Sequence, residues 1–466
     1  MYRDQIDTFI DAHKEEMIED LKTLVRINSQ KGEAKEGMPF GEGPARVVAA
    51  AEEMMKKYGL STTNYENYVV TGDFNEKEKA LDILAHLDVV PVSDDWTVTQ
   101  PFEPKVVGNR IYGRGVIDDK GPAVAALYAL RAIKELGIDL KKNVRLILGS
   151  DEECGSSDLE YYYAKEEEAP ATFSPDASFP LVNIEKGRLA RTFTKKVPSC
   201  EGLAEVTAFH GGDKVNVVPQ KAWAEVQNVD IAVVNQIISE DQTGVTFIAS
   251  EENGKVKIAA KGIAAHASLP EGGKNGICAL LTLLTKLPLA DTENLEAMKG
   301  ILSLMPYGDV HGKAAGISMK DDISGELTLN LGILNFDGET WSGEFDSRIP
   351  ICGNDETVTK VLVSGFRAHG FEIKEGNMIL PHHVPEESEL VQKLLDSYER
   401  YTGRREKPIA MGGGTYVHDL KRGVAFGCEI EGVDNHMHGD DEFFELDVFY
   451  LSAKIFADAI LKICNE

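Results

Sequence analysis

The sequence predicts an α/β protein in which one domain with a mainly parallel sheet is interrupted by an inserted α+β domain. Three observations carry this prediction. In the first third, apolar strands alternate with helices: "KALDILAHLDVVP" (Lys79 to Pro91), "GPAVAALYALRAIKELG" (Gly121 to Gly137), then "NVRLILGS". From about Arg188 the strands become alternating and paired, as in "VTFIASEENGKVKIAAKG" (Val245 to Gly262), where "ENG" marks a hairpin turn. After about Pro381 the helical texture returns with "SELVQKLLDSYERYTG" and "DVFYLSAKIFADAILKI". The domain reading is 1–187 and 381–466 for the interrupted domain and 188–380 for the insert. A chain of 466 residues is long enough for two cores.

The elements follow in order. Ile6, Phe9, Ile10, Met17, Leu21, Leu24 and Val25 recur at helical spacing, so the first segment reads as one amphipathic helix without a signal-peptide core. "LEYYYAKEEEAP" (Leu159 to Pro170) reads as a helix ending in a solvated acid run. The insert looks weakly duplicated in element order. "AWAEVQ", "DIAVVNQIISE" and "VTFIA" make one strand–helix–strand unit, and "WSGEFDSRI", "DETVTKVLVSGFRAHG" and "FEIKEG" make a second.

Net charge is −28, from 77 acids against 49 Lys and Arg. That balance argues against nucleic acid or anionic membrane as partner and fits a soluble surface kept from aggregating. No apolar run approaches membrane-spanning length. The six cysteines form no Cys-x-x-Cys pair, so neither a disulfide framework nor a thiolate zinc knuckle is expected. A reducing cytoplasm fits this cysteine usage.

Chemistry is expected at one sheet edge. Ligands in open α/β sheets bind outside the carboxyl ends of the strands. His86 and Asp88 end "LDILAHLD", Glu152 and Glu153 follow "VRLILG", and Asp118 and Asp119 lie in the glycine-rich "YGRGVIDDKG". "FSPDAS" adds Asp176, and "NHMHGDDEF" adds His436 and His438. Taken singly, each has a plain structural reading: a cap, a turn, a surface histidine. Together they gather imidazoles and carboxylates at one edge, which is what zinc or a similar divalent ion requires. Acids crowded at a strand mouth repel one another, and cations would offset that repulsion.

"HLDVVP", "GRGVIDDKG", "SDEECGSSD", "GIAAHASLPEGGKNGI" and "MHGDDE" resemble the signatures of a co-catalytic di-zinc hydrolase family. It includes aminoacylase, acetylornithine deacetylase, succinyl-diaminopimelate desuccinylase, carboxypeptidase G and cytosolic dipeptidases. The motifs run in family order from about residue 80 to 442, and the closest likeness is to the PepV-type bacterial dipeptidases. The resemblance implies a phosphorylase/hydrolase-like catalytic domain with an inserted lid, and two divalent metal ions, zinc first, with manganese or cobalt as alternatives. It implies that His86 and Asp176 hold one metal, Glu153 and His438 the other, and that Asp118 bridges them. Glu152 is then the general base, and Asp88 orients His86. A cis peptide between Asp118 and Asp119 is also implied.

In the lid, the resemblance implies that His266 of "AAHASLP" stabilises the charge developing on the scissile carbonyl. It implies that Asn216 of "VNVVPQKA" places the substrate. It implies too that Arg348 of "FDSRIP" and the loop "MGGGTY", with Gly413, Gly414 and Thr415, hold the substrate's carboxylate. Val417 and His418 follow, where close relatives often carry a basic residue. The activity implied is hydrolysis of unblocked dipeptides, with β-alanyl or Xaa-His types in view. An N-acyl amino acid deacylase and a silent peptide- or metal-binding protein are the rival readings. The long, doubled lid implies a monomer with His266 acting in cis, because dimeric relatives with a shorter lid borrow that histidine from a partner subunit.

Overall fold

The computed structural model of the protein describes residues 2–200, 202–252 and 254–465. Two compact units emerge. The first holds the chain up to Ile184, His383–Ile409, and the chain from Gly414 onward; the second holds Glu185–His382 and Ala410–Gly413. The sequence reading drew its boundaries at 187/188 and 380/381. The tetrapeptide Ala410–Gly413, read from the sequence as part of the interrupted domain, groups with the second unit. The backbone N–H of Lys186 donates to Met411 O at 2.9 Å and helps hold it there.

In the first unit, strands run in the order Ser61–Tyr65, Val69–Asp73, Asn143–Gly149, Lys79–His86, Ala171–Ser174, Gly423–Ala425. The last four are mutually parallel, and the first two add antiparallel. Asn143–Gly149 is buried at every position and Lys79–His86 from Ala80 onward, as continuous apolar strands require when both faces are covered. Their one buried charge pair is matched: Arg145 and Asp82 face each other in register and bond at 2.8 and 2.7 Å. The helix Lys120–Glu135 is buried from Lys120 to Ile133, and its core is shared with Leu446–Asn465.

Two local readings differ. The first segment forms two helices, Arg3–Ala12 and Lys14–Val25. The break falls at His13, whose ring nitrogen bonds the Phe9 carbonyl at 2.7 Å. The helix expected from Leu159 to Pro170 spans Ser157–Tyr163 and stops before the acid run. Glu166 is then free to meet Lys79 at 3.1 Å and Tyr65 at 2.9 Å.

The second unit is an eight-stranded antiparallel sheet with helices Gly276–Leu284 and Glu293–Leu304 in its core. Its order is Thr246–Glu252, Lys255–Lys261, Lys221–Gln227, Glu205–Gly211, Thr328–Phe336, Thr340–Ile349, Gly187–Lys196, Glu372–Ile373. Thr246–Glu252 and Lys255–Lys261 pair as a hairpin. The Asn253 of the expected "ENG" turn lies outside the described residues. Lys221–Gln227, helix Ile231–Ser239 and Thr246–Glu252 form a strand–helix–strand unit with one antiparallel strand between its two parallel strands. Thr340–Ile349, helix Lys360–Ala368 and Glu372–Ile373 repeat it around Gly187–Lys196.

Candidate active site

Three neighbouring parallel strands deliver the first unit's acids and histidine. His86 ends the central strand, Glu152 and Glu153 open the short turn after Asn143–Gly149, and Asp176 follows Ala171–Ser174. His86 is buried, and its Nε2 lies 2.9 Å from Asp118 Oδ1 and 3.6 Å from Asp176 Oδ2. His438 Nε2 lies 2.7 Å from Asp118 Oδ2 and 3.1 Å from Glu153 Oε1. Donor atoms of His86, Asp118 and Glu153 fall within 4.8 Å of one another, as do those of His86, Glu152 and Asp176. Asp118 therefore touches both imidazoles. The Asp118–Asp119 peptide is cis.

Asp88 organises this group from beneath. Its two carboxylate oxygens accept from the backbone N–H groups of Glu152 and Glu153, both at 3.1 Å. Its backbone carbonyl takes the other ring nitrogen of His86 at 3.1 Å, which leaves Nε2 facing Asp118. One buried residue thus aims the histidine, through its backbone carbonyl, and both glutamates, through its carboxylate.

Electrostatics follow from burial and crowding. Burial, with the carboxylates of Asp176, Glu153 and Asp88, pushes the Glu152 carboxyl well above its ordinary value against the pull of His86. Burial and Asp118 push Asp176 up to about 8. Burial opposes charge on His86, but hydrogen bonds to Asp118 and Asp88 win and raise it. Burial likewise opposes charge on Asp118, and His438 and His86 pull it below the usual range. The carboxylates outnumber the imidazoles, so the group carries excess negative charge. Asp119 adds a fully buried Oδ1 with no hydrogen-bond partner among the described residues. Oxygen and imidazole donors with excess negative charge and no thiolate fit divalent cations.

Sequence reasoning missed several residues that hold the group. Glu442 is fully buried; it pairs with Arg114 and accepts from the N–H groups of Gly115 at 2.9 Å and Ile117 at 3.1 Å. Arg114 in turn donates to Gly439 O at 3.0 Å. The loop of Asp118 and the loop of His438 are thereby tied together, and His438 holds a left-handed φ of 60°. Tyr416 stacks edge-on to His86, with ring centroids 6.2 Å apart, and its hydroxyl donates to Asp158. Asp158 also accepts from Ser150 N at 2.6 Å and Asp151 N at 3.0 Å, at the root of the Glu152 turn. An arginine in a glycine-rich loop and a lone tyrosine after "GGGT" carry no pattern that marks them. His436, by contrast, bonds the Asp440 carbonyl at 3.1 Å and does not join the group.

The residues expected to touch substrate from the insert gather within the second unit. Val217 and Val218 pair with His266 and Ala265, and Ala267 N donates to Asn216 O at 2.8 Å. Asn330 is buried and donates to Val215 O and Val217 O, one on each side of Asn216. His266 Nδ1 lies 2.6 Å from Ser268 Oγ. Gly412 abuts Ser268 so closely that a Cβ there would lie 2.5 Å from Ser268 Cβ. Its carbonyl accepts from Arg348 Nη1. Arg348 also grips Asp346 through Nε at 2.6 Å and Nη2 at 3.1 Å, so part of its fork is already engaged. Gly413 follows in this unit; Gly414 and Thr415 belong to the first, where Thr415 accepts from Val417 N.

Known proteins resemble this chain over nearly its whole length. Residues 83–462 match the model of peptidase family M20/M25/M40. YtjP of Bacillus subtilis (strain 168) is 34% identical over 97% of this chain and 98% of its own. The Beta-Ala-Xaa dipeptidase of Lactobacillus delbrueckii subsp. lactis is 31% identical over 98% and 97%. The crystal structure of human carnosine dipeptidase 1 shares the fold, with a TM-score of 0.62 at 16% identity over 100% of this chain and 99% of that one. The match runs from within the His86 strand to the last helix, and so takes in every residue of the cluster: the chain belongs to peptidase family M20/M25/M40.

Proposed function

We propose that the protein is a metal-dependent dipeptidase acting on unblocked dipeptides. One observation carries this: Asp88, Asp118, Glu152, Glu153, Asp176, His86 and His438 converge in a largely buried group with excess negative charge. The name of the Lactobacillus relative supports the substrate class. His86 with Asp176, and His438 with Glu153, would hold two divalent ions, zinc first, with Asp118 between them. Such ions supply Lewis-acid polarisation of the peptide carbonyl and of the attacking water.

The chain's own residues do the rest. Glu152, its carboxyl raised by burial and acidic neighbours, takes a proton from the attacking water and passes it to the leaving amine. Asp88 keeps Glu152 and His86 in place. His266 donates to the developing oxyanion, an interaction worth about 10²–10³ in rate at comparable sites. Asn216 positions the peptide, and Arg348, Gly413, Gly414 and Thr415 take its carboxylate. The protein acts as a monomer in the cytoplasm. The repeated element order of the second unit supports that state, with His266 acting in cis.

The test is hydrolysis of a dipeptide panel against matched N-acetyl amino acids and tripeptides. Metal-stripped protein is reloaded with zinc or manganese, and Glu152→Ala serves as control. Cleavage confined to free-amine dipeptides and lost in the control is the expected result. Preference for acylated substrates would reassign the protein as a deacylase.

A further inference from the structure

We infer that Arg188 is a second guanidinium at the carboxylate end of the substrate site, and that it sets affinity for substrates with a free C-terminal carboxylate. The inference rests on the reading that Arg348 and the glycine loop receive that carboxylate. Arg188 is the second residue of the strand Gly187–Lys196 and stands directly opposite Arg348 on Thr340–Ile349. Cross-strand partners project from the same face of a sheet, and like charges placed so are destabilising unless something neutralises them. Asp346 lies between them: Arg348 grips it with two nitrogens, and Arg188 Nε reaches its Oδ2 at 3.0 Å.

Charge counting then decides what is needed. Asp346 is wholly buried and balances one guanidinium, not two. A net positive charge is left beside Gly412, whose carbonyl is already bonded by Arg348. Arg348 is almost buried, whereas the Arg188 side chain is 39% exposed. Arg188 is therefore the member of the pair with N–H groups open to an arriving ligand. In a chain of net charge −28, a buried acid flanked by two arginines marks a place built for an anion. A carboxylate fits it, because a guanidinium fork takes one through two parallel hydrogen bonds. Backbone bonds fix the position: Arg188 N donates to Ile379 O at 3.0 Å, and Ile379 N donates to Arg188 O at 2.9 Å.

The experiment compares Arg188→Gln, Arg188→Lys and Arg348→Lys on a good dipeptide and on its C-terminal amide, with thermal unfolding as a check on folding. Arg188→Gln should raise KM for the dipeptide about tenfold or more with a much smaller change in kcat, and should have little effect on the amide. Arg188→Lys should recover part of the loss. An unchanged KM in Arg188→Gln, while the parent and Arg348→Lys still distinguish acid from amide, would overturn the role of Arg188 alone. Equal losses on acid and amide would show a structural role and overturn it as well. A parent enzyme indifferent to amidation would overturn the carboxylate reading on which the inference stands.

Discussion

At the scale of single residues, Asp88 has the widest reach. Its two oxygens serve two successive N–H groups, and its carbonyl serves His86. Asn offers one carboxamide oxygen in place of two, so Asp88→Asn should leave one amide unpaired and let the glutamates turn. We expect metal affinity to fall about 10–100-fold, measured by competition with a chelating dye. Glu16 shows a second kind of dependence, on pH. Burial opposes its charge, but Arg131 at 2.9 Å and Lys57 at 3.2 Å prevail and hold its carboxyl at about 2. A carboxyl depressed in the folded state stabilises fully above its unfolded value near 4.5 and loses that contribution as pH falls toward 2. Glu16→Gln should therefore be less stable than the parent at pH 7, and the gap should close between about pH 4.5 and 2 in thermal unfolding. Its partners lie on other elements, so the sequence showed Glu16 only as one acid on a helix face.

At the scale of elements, the site depends on loops tied to one another. Glu442 and Arg114 join the loop of Asp118 to the loop of His438. Removing the acid leaves Arg114 buried and unpaired. Glu442→Ala should cost about 3–5 kcal/mol, read by denaturant unfolding, and should weaken metal binding because His438 loses its anchor. The strands that carry His86 and Glu152 were legible beforehand, since fully buried parallel strands read as unbroken apolar runs. The break at His13 was not. The apolar period continues across it, and the interruption lies in a ring nitrogen that competes for one backbone carbonyl. The segment Ala410–Gly413 was likewise assigned to the wrong unit. Its partners, Lys186 and Arg348, are remote in sequence, and local composition carries no trace of them.

At the scale of the whole molecule, two units with separate cores divide the work. The first gathers acids that repel one another, so a bound cation should stabilise the folded chain. Chelation should lower the melting temperature and reloading restore it; metal at about 100 times its dissociation constant contributes about 2.7 kcal/mol, read by calorimetry. The second unit repeats a strand–helix–strand arrangement that the sequence betrayed only as a repeated order of elements. What the sequence determined by itself was the alternation of buried strands and helices, the insertion, and the residue types at the strand ends, because these are local properties of the chain. Which atoms meet was decided by the tertiary structure. The pairing of Arg188 with Asp346, Tyr416 against His86, and Asp88 beneath both glutamates each joins segments that only folding brings together, and hydrogen bonds act over about 3 Å whatever the separation along the chain.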